Sequence, residues 1–362
     1  MSGNGKIADE WKKKGHYIYG SSQFADKLEH DRQFGFETMK NAGIKIPDYK
    51  EFTDFAAGQE YVRQANKELV FKPSGSMPCK LTYCAKSAEE LIAYMNFVER
   101  QFGKHIDSFV LQDFIEGVVV SSEMFCQNGE LILPFNHTVE VKKSMNDDLG
   151  PSTGCSGNIT WPCDEDDIIT SGIGLMRDIC KKEQYTGQID LNAVISENGV
   201  FGLEYTPRFG YDATPTFLTL VQTDLGQFFS DIARGESGEL DIRNQYAGGV
   251  RVTIPPYPVE PKDDVDPEDF SPSIGIPILG YEEYETELYF YEVCMENEQL
   301  FHSSGTGVIA CAMGLGDNAQ DSLLRPYDIL EDLVIPDKQY RTDLSSVLPE
   351  MIKDLEEIEL HV

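Results

Sequence analysis

Apolar positions along this chain fall into two alternating kinds of block, one with helical spacing and one strand-like. DRQFGFETMKNAGI (31–44) spaces its apolar side chains three and four apart, which predicts a helix ending near Gly43 with Pro47 beyond it. EELIAYMNFVERQF (89–102) has the same period, and Ser87 with Glu90 forms a capping-box pattern at its start. SFVLQDFI (108–115), VVVSSEMFC (118–126) and LILPFNHTV (131–139) read as strands, the last two joined by a turn at QNGE. DDLGPSTGCSGNITWP (147–162) breaks all periodicity and predicts a long functional loop. A helix around DIITSGIGLMRDICKK leads into a second hairpin, GQIDLNAVIS then ENG then VFGLEYTPRFG. Residues 236–249 read as a linker, 250–345 as mostly strand and turn, and SVLPEMIKDLEEIEL as an acidic closing helix. The first twenty residues carry little pattern. The fold class expected is α+β.

Charge narrows the function. Thirty basic against 62 acidic residues give a net charge of −32, which disfavours nucleic-acid backbones and anionic membrane surfaces. No apolar run approaches the roughly 18 residues of a membrane span, and the first 30 residues lack a secretory core. Eight scattered cysteines without a CxxC pair read as reduced thiols in a cytoplasmic protein. There is no GxxxxGK[ST], no strand-to-helix GxGxxG and no GxSxG, and the six histidines do not cluster in the sequence.

In so acidic a chain, paired cations stand out. ELVFKPSGSMPCKLTYCA (68–85) sets Lys72 and Lys80 at the margins of a loop holding Gly75 and Ser76. Small residues let backbone N–H groups approach an anion, and two ammonium groups can neutralise a polyphosphate. The segment reads as a nucleotide lid or as a surface hairpin with snorkelling lysines. In the second hairpin, a three-residue turn at ENG would set Asp190 opposite Thr206 and Asn192 opposite Glu204. Alternation then puts all four on one sheet face, a set suited to a hard cation or an ordinary solvated face. Arg208 follows as a fixed cation. Glu140, Lys142 and Lys143 precede Asp148, Gly150, Pro151, Thr153 and Gly154, whose glycines and hydroxyls could meet a carboxylate or phosphate.

These three elements, in this order, resemble the ATP-grasp superfamily and within it glycinamide ribonucleotide synthetase (phosphoribosylamine–glycine ligase). KPSGSMPCK is similar to that family's K-x-D-G-x-x-x-G-K loop. Glu140-Val141-Lys142 and residues Asp148 to Gly157 resemble its D-H-K and D-x-G-P-N-T-G-G-M-G runs. Glu204-Tyr205-Thr206-Pro207-Arg208-Phe209-Gly210 resembles E-F-N-x-R-F-G, and YGSSQFADKLEHDRQFGFETMKNAGIKIP resembles the S-K-x-F-x-K entry segment. VRVTIPPYP, SSGTGVIACAMGLGDNAQD and YRTDL resemble the C-terminal part, so the likeness spans about residues 18 to 345.

The resemblance implies an ATP-grasp fold, two α+β subdomains gripping ATP, followed by a small mainly-β domain. Expected bounds are 1–32 as an N-terminal remnant without the family's leading Rossmann-like domain, 33–235 for the ATP-grasp unit with its lid at about 66–117, a linker at 236–249, the β-rich domain at 250–345 and an acidic tail at 346–362. It implies an amide-forming, ATP-dependent ligase with Mg²⁺ (or Mn²⁺), glycine as carboxylate and an amine as acceptor, and it leaves room for a separately encoded N-terminal domain as partner. By resemblance, Lys72, Lys80, Gly75, Ser76, Gln112 and Asp113 contact ATP; Asp190, Glu204 and Thr206 hold the metal; Asp148, Pro151, Thr153, Gly154 and Asp212 contact substrate; and Arg208 and Lys142 serve catalysis. The chain departs from the family where Thr206 replaces an Asn, where Cys155 and Ser156 replace Gly and Met, and where Tyr211-Asp212-Ala213 replaces D-P-E. Those departures leave open a different amine, or a non-catalytic nucleotide-binding module that needs a partner.

Overall fold

The computed structural model describes residues 3–65, 67–74, 81–236, 238–258 and 273–360. Gly75, Ser76 and Lys80 lie outside the described residues. Helices α1 (Gly5–Lys13), α2 (Gln23–His30) and α3 (Arg32–Ala42) open the chain. The N-terminal segment is therefore helical where the sequence lacked pattern. Ser22 and Asp31 cap α2 and α3, and Gly43 ends α3 at φ 91°, a left-handed position that glycine adopts without a Cβ penalty.

The lid follows as β1 (Tyr49–Phe52), α4 (Phe55–Ala65), β2 (Leu69–Pro73), β3 (Tyr83–Cys84), α5 (Ala88–Phe102) and β4 (Phe109–Asp113). It is an antiparallel sheet of order β1-β4-β2-β3, beginning earlier than expected because Tyr49–Phe52 pairs with β4. Leu69, Phe71, Phe109 and Leu111 point to one face and pack on Phe55, Val62, Leu91, Met95 and Val98 of the two helices. The opposite face carries Val70, Lys72 and Gln112. At the start of α5, Ser87 Oγ accepts from Glu90 N–H, while Glu90 reaches one residue further back than a standard box, to Lys86 N–H at 2.9 Å.

The body is built from β5 (Val118–Gln127), β6 (Glu130–Lys143), β7 (Ser152–Cys163), α6 (Asp167–Ser171), α7 (Arg177–Glu183), β8 (Gly187–Ser196), β9 (Gly199–Thr206), α8 (Ala213–Leu218), α9 (Leu225–Arg234) and β10 (Tyr246–Thr253). Then come β11 (Pro277–Ile278), β12 (Leu288–Phe290), β13 (Val293–Glu296), β14 (Gln299–His302), β15 (Val308–Gly316), α10 (Leu324–Asp332) and α11 (Leu344–Glu357). Eight strands form one sheet in the order β12-β15-β10-β7-β6-β5-β8-β9. Strands β10, β12 and β15 thus extend the sheet built by β5 to β9, and the expected linker at 236–249 runs into a strand within it. Most strand residues described in 250–345 belong to that sheet. The small sheet, β11-β14-β13, is an appendage.

The expected loop at 147–162 is the second correction. Ser152–Cys163 is a strand paired with both β6 and β10. Its composition misleads because Ser156, Asn158 and Thr160 lie on a face that is polar and buried, so no apolar alternation reports it. Gly157 lies on the other face, where an added Cβ would come within 2.3 Å of Leu344 Cδ1, so α11 packs directly against the strand. Val120, Val139, Ile159, Ile189 and Leu191 share that apolar face with Leu348, Ile352 and Leu355 of α11 in the main core. The sheet is therefore oily behind and polar in front.

Candidate functional site

The front face is set by register. Asp190 pairs with Thr206 and Asn192 with Glu204, the pairing expected, but by a different route. Ser196 pairs with Gly199 across a two-residue turn, and a bulge at Leu203 supplies the missing residue. Across β5 the same rows continue, Glu123 opposite Asp190 and Ser121 opposite Asn192. They then run into β6 at Asn136 and Thr138.

These side chains satisfy one another. Ser121 Oγ donates to Asp190 at 2.5 Å and Asn192 Nδ2 to the other Asp190 oxygen at 3.0 Å. Gln188 Nε2 donates to Glu123 at 2.8 Å, and Asn136 Nδ2 to the same oxygen at 3.3 Å. Burial pushes the Glu123 carboxyl up to about 7, with Glu140 adding to the shift against two hydrogen bonds. Asp190 is raised well above its ordinary value by burial first and by Glu123 second. Glu140 is raised by burial, against Lys142. Glu204 is solvent-exposed at the edge of the face. Four carboxylates are thus gathered on one wall, and burial raises the three deeper ones, Glu123, Asp190 and Glu140.

Two lysines answer part of that charge. Lys72 keeps some contact with solvent, yet its ammonium is deep, and burial lowers its pKa to about 8 despite Glu204 nearby. Lys142 is exposed along its stem; burial of its ammonium opposes the charge, but Glu140 and Glu204 outweigh it and raise the pKa. The fit to a dication follows from this donor set: oxygen ligands only, on rigid adjacent strands, with excess negative charge. Asp190, Glu204 and the half-buried Thr206 would hold it. The fit to a nucleotide rests on the lid. Gln112 is 1% exposed on the Lys72 face, and its Oε1 has no hydrogen-bond partner among the described residues.

Other expected site residues are engaged elsewhere. Asp113 lies on the opposite lid face from Gln112 and binds Lys67 Nζ at 2.6 Å, so its carboxylate is turned from the cleft. Asp148 accepts from Arg341 at 2.7 Å, which ties the 144–151 loop to the residues before α11. Pro151 O accepts from Ser144 N–H, and Thr153 Oγ1 donates to Lys142 O at 2.8 Å, so both shape that loop while Gly154 is exposed. Arg208 is held by Glu29 at 2.8 Å. Asp212 is the clearest correction. It is 1% exposed, with Arg251 Nε 2.7 Å from Oδ2 (off the hydrogen-bond line) and Tyr291 Oη donating to Oδ1 at 2.6 Å. It is locked in the interior and not presented to a substrate.

Sequence reasoning missed Glu123, Asn136 and Gln188. The one available signal was a glutamate inside an otherwise apolar strand, VVVSSEMFC. It also missed His137, Cys163 and Asp166, whose donor atoms lie within 4.8 Å of one another at the end of β7. Both His137 ring nitrogens there are already engaged, by Ser122 Oγ and Asp166 Oδ2, each at 2.9 Å.

The sequence profile of the phosphoribosylglycinamide synthetase ATP-grasp (A) domain matches residues 30–214, just over half of the chain. The chain belongs to this family. By family it is an ATP-grasp carboxylate–amine ligase, and the expected α+β ATP-grasp fold is borne out. It is similar to the phosphoribosylamine–glycine ligase of Clostridium acetobutylicum, 25% identical over 93% of this chain and 80% of that one. The Neisseria meningitidis serogroup B ligase of the same name is 24% identical over 94% and 80%. Among solved structures, the phosphoribosylamine–glycine ligase of Thermotoga maritima superimposes with a TM-score of 0.73 at 22% identity, covering 90% of this chain and 81% of that one. The biotin carboxylase domain of Hydrogenobacter thermophilus 2-oxoglutarate carboxylase, solved with MgADP and bicarbonate, gives 0.64 at 17% identity over 99% and 77%. Among the described residues no helix is long and apolar enough to cross a membrane.

The depressed Lys72 pKa gives a pH prediction. Free Lys72 loses its proton above about pH 8, whereas bound phosphate would keep it charged, so binding above pH 8 requires proton uptake. ATP affinity should fall roughly five- to tenfold between pH 7.5 and 9. Lys72→Arg, whose guanidinium stays charged throughout, should flatten that slope in titration calorimetry. A wild-type slope in the variant would remove Lys72 from the phosphate site.

Proposed function

We propose that the chain joins a small carboxylate, with glycine expected, to an amine of the phosphoribosylamine type, using ATP and Mg²⁺. The observation that carries this reading is the polar sheet face: four carboxylates and Lys142 on a rigid wall, with Lys72 and Gln112 on the lid, the Gln112 Oε1 having no partner among the described residues. A carboxylate oxygen of the first substrate attacks the γ-phosphorus of ATP, and the bond to the β–γ bridging oxygen breaks to release ADP. The amine nitrogen then attacks the acyl carbon, the C–O bond to phosphate breaks, and the amine gives up one proton. A divalent cation held by Asp190, Glu204 and Thr206 would draw charge from the phosphate oxygens. Lys72, and by motif Lys80, cover the phosphates, and Lys142 lies where charge builds on the transferred group. Such a reaction needs positioning and charge neutralisation more than a protein nucleophile.

The test is ADP release by the purified protein with Mg-ATP and glycine, with and without freshly generated phosphoribosylamine. Release that needs both substrates is the expected result. ADP release indifferent to glycine would overturn the reading, and release needing glycine with another amine would confine the error to the acceptor.

A further inference from the structure

The back of the main sheet is apolar along Val120, Val139 and Ile159, and two polar side chains interrupt it. Ser122 and His137 pair across β5 and β6, two residues along from Val120 and Val139, and are 3% and 1% exposed. His137 Nδ1 lies 2.9 Å from Ser122 Oγ, and Nε2 lies 2.9 Å from Asp166 Oδ2. Cys163, at the end of β7, adds a sulfur, and the three donor atoms of His137, Cys163 and Asp166 lie within 4.8 Å of one another. Burying the imidazole needs one partner for each ring nitrogen. It does not need a thiol beside them.

Each of these side chains is fixed from behind. Ser122 Oγ can accept Nδ1–H, the outer bond that holds a metal-binding imidazole with its Nε2 lone pair facing the ion. Asp166 Oδ1 accepts from Ile169 N–H at 2.9 Å, which caps α6 and leaves Oδ2 for the site. Trp161, opposite His137 across β6 and β7, stands beside the imidazole with ring centroids 5.7 Å apart. A tetrahedral zinc ion spaces N, O and S ligands about 3.3–3.7 Å apart, so shifts of about 1 Å bring the three donors onto it. Asp166 is exposed and Cys163 only half-buried, so both can make them. The entrance is acidic: Asp164, Glu165, Asp166 and Asp167 follow Cys163 directly, and Arg177 is paired to Glu165 at 2.6 Å.

We propose that His137 Nε2, Cys163 Sγ and Asp166 Oδ2 bind a zinc-class dication on the back of the sheet, with water in the fourth position. Binding releases the Cys163 thiol proton, and the neutral imidazole carries its proton on Nδ1, where Ser122 Oγ accepts it. Thiolate and imidazole select zinc over magnesium, which separates this site from the all-oxygen front face. The ion fastens the start of α6 to β6 and β7. The assignment does not depend on the ligase reading.

Cobalt(II) is the probe, because a cobalt–thiolate bond absorbs in the near ultraviolet and tetrahedral cobalt absorbs in the visible. Chelator-treated protein, kept in excess Mg²⁺ so that oxygen-only sites are filled, should develop both absorptions on titration with Co²⁺. Zn²⁺ should then displace them. Cys163→Ser should abolish the thiolate band. Asp166→Asn, which keeps a capping side chain for α6, and Ser122→Ala should each weaken cobalt binding at least about tenfold. Far-ultraviolet circular dichroism checks that each variant is folded. Wild-type protein without the thiolate band, a band that survives Cys163→Ser, or cobalt affinity unchanged in Asp166→Asn overturns the site.

Discussion

Glu204→Ala should lower ligation by at least about a hundredfold, and Asp190→Asn should do the same while making the ligand-free protein more heat-stable. Both carboxylates sit on one rigid face, fixed by the bulge at Leu203 and by pairing with β5. Without a cation the front wall repels itself: burial and neighbouring carboxylates raise Glu123, Glu140 and Asp190 together. Removing the Asp190 charge relieves that repulsion but deletes a ligand for the dication. The sign with pH follows. Glu123 titrates near 7 in the folded chain against about 4.5 unfolded, so its stabilising share is full below 4.5 and is lost as pH rises through 7. Asp190→Asn should flatten that loss. Thermal melts of metal-free wild type and variant from pH 5 to 8, alongside ADP release, make the comparison. An Asp190→Asn protein that keeps full turnover would place the metal elsewhere.

The second large effect concerns stability alone. Asp212→Ala should cost about 3–5 kcal/mol, because Arg251 would keep its charge in the interior with its counter-ion gone. Burial opposes the Arg251 charge, and Asp212 outweighs it. Tyr291 Oη also loses one of its two acceptors, keeping Tyr211 O at 2.9 Å in the turn before α8. Arg251 NH1 donates to Tyr257 Oη at 2.8 Å, which does not replace a carboxylate. Denaturant melts of Asp212→Ala and of the double variant Asp212→Leu/Arg251→Met separate the cases. The double variant should recover most of the loss, since apolar replacement removes the stranded charge. A single variant as stable as wild type, with a raised substrate KM, would return Asp212 to the substrate site.

Much of this site was legible one residue at a time. Lys72 and Gln112 lie on the same lid face because strand alternation is local and the helices behind fix which face is inside. The Asp190–Thr206 and Asn192–Glu204 pairs were readable for a less secure reason: a wrong turn length and an unseen bulge cancel. What could not be read is burial without hydrophobicity. Ser156, Asn158 and Thr160 look like loop residues until β6 and β10 pair on either side of them, α8 packs over their face and α11 over the other. Asp212, Asp148 and Arg208 show the converse limit. Motif position put Asp212 and Asp148 at the substrate and Arg208 in catalysis, but Arg251, Arg341 and Glu29 reach them from distant parts of the chain, and no local pattern reports an ion pair across so many residues.

The most direct measurement follows a single oxygen. Glycine labelled with ¹⁸O in its carboxylate is supplied with Mg-ATP and the acceptor amine, and the released phosphate is read by ³¹P NMR. Attack of the carboxylate on the γ-phosphorus leaves one labelled oxygen in each phosphate once the amide has formed, and that is the expected result. Phosphate that carries no label while the amide accumulates would contradict the acyl-phosphate route, and with it the role given to the polar sheet face.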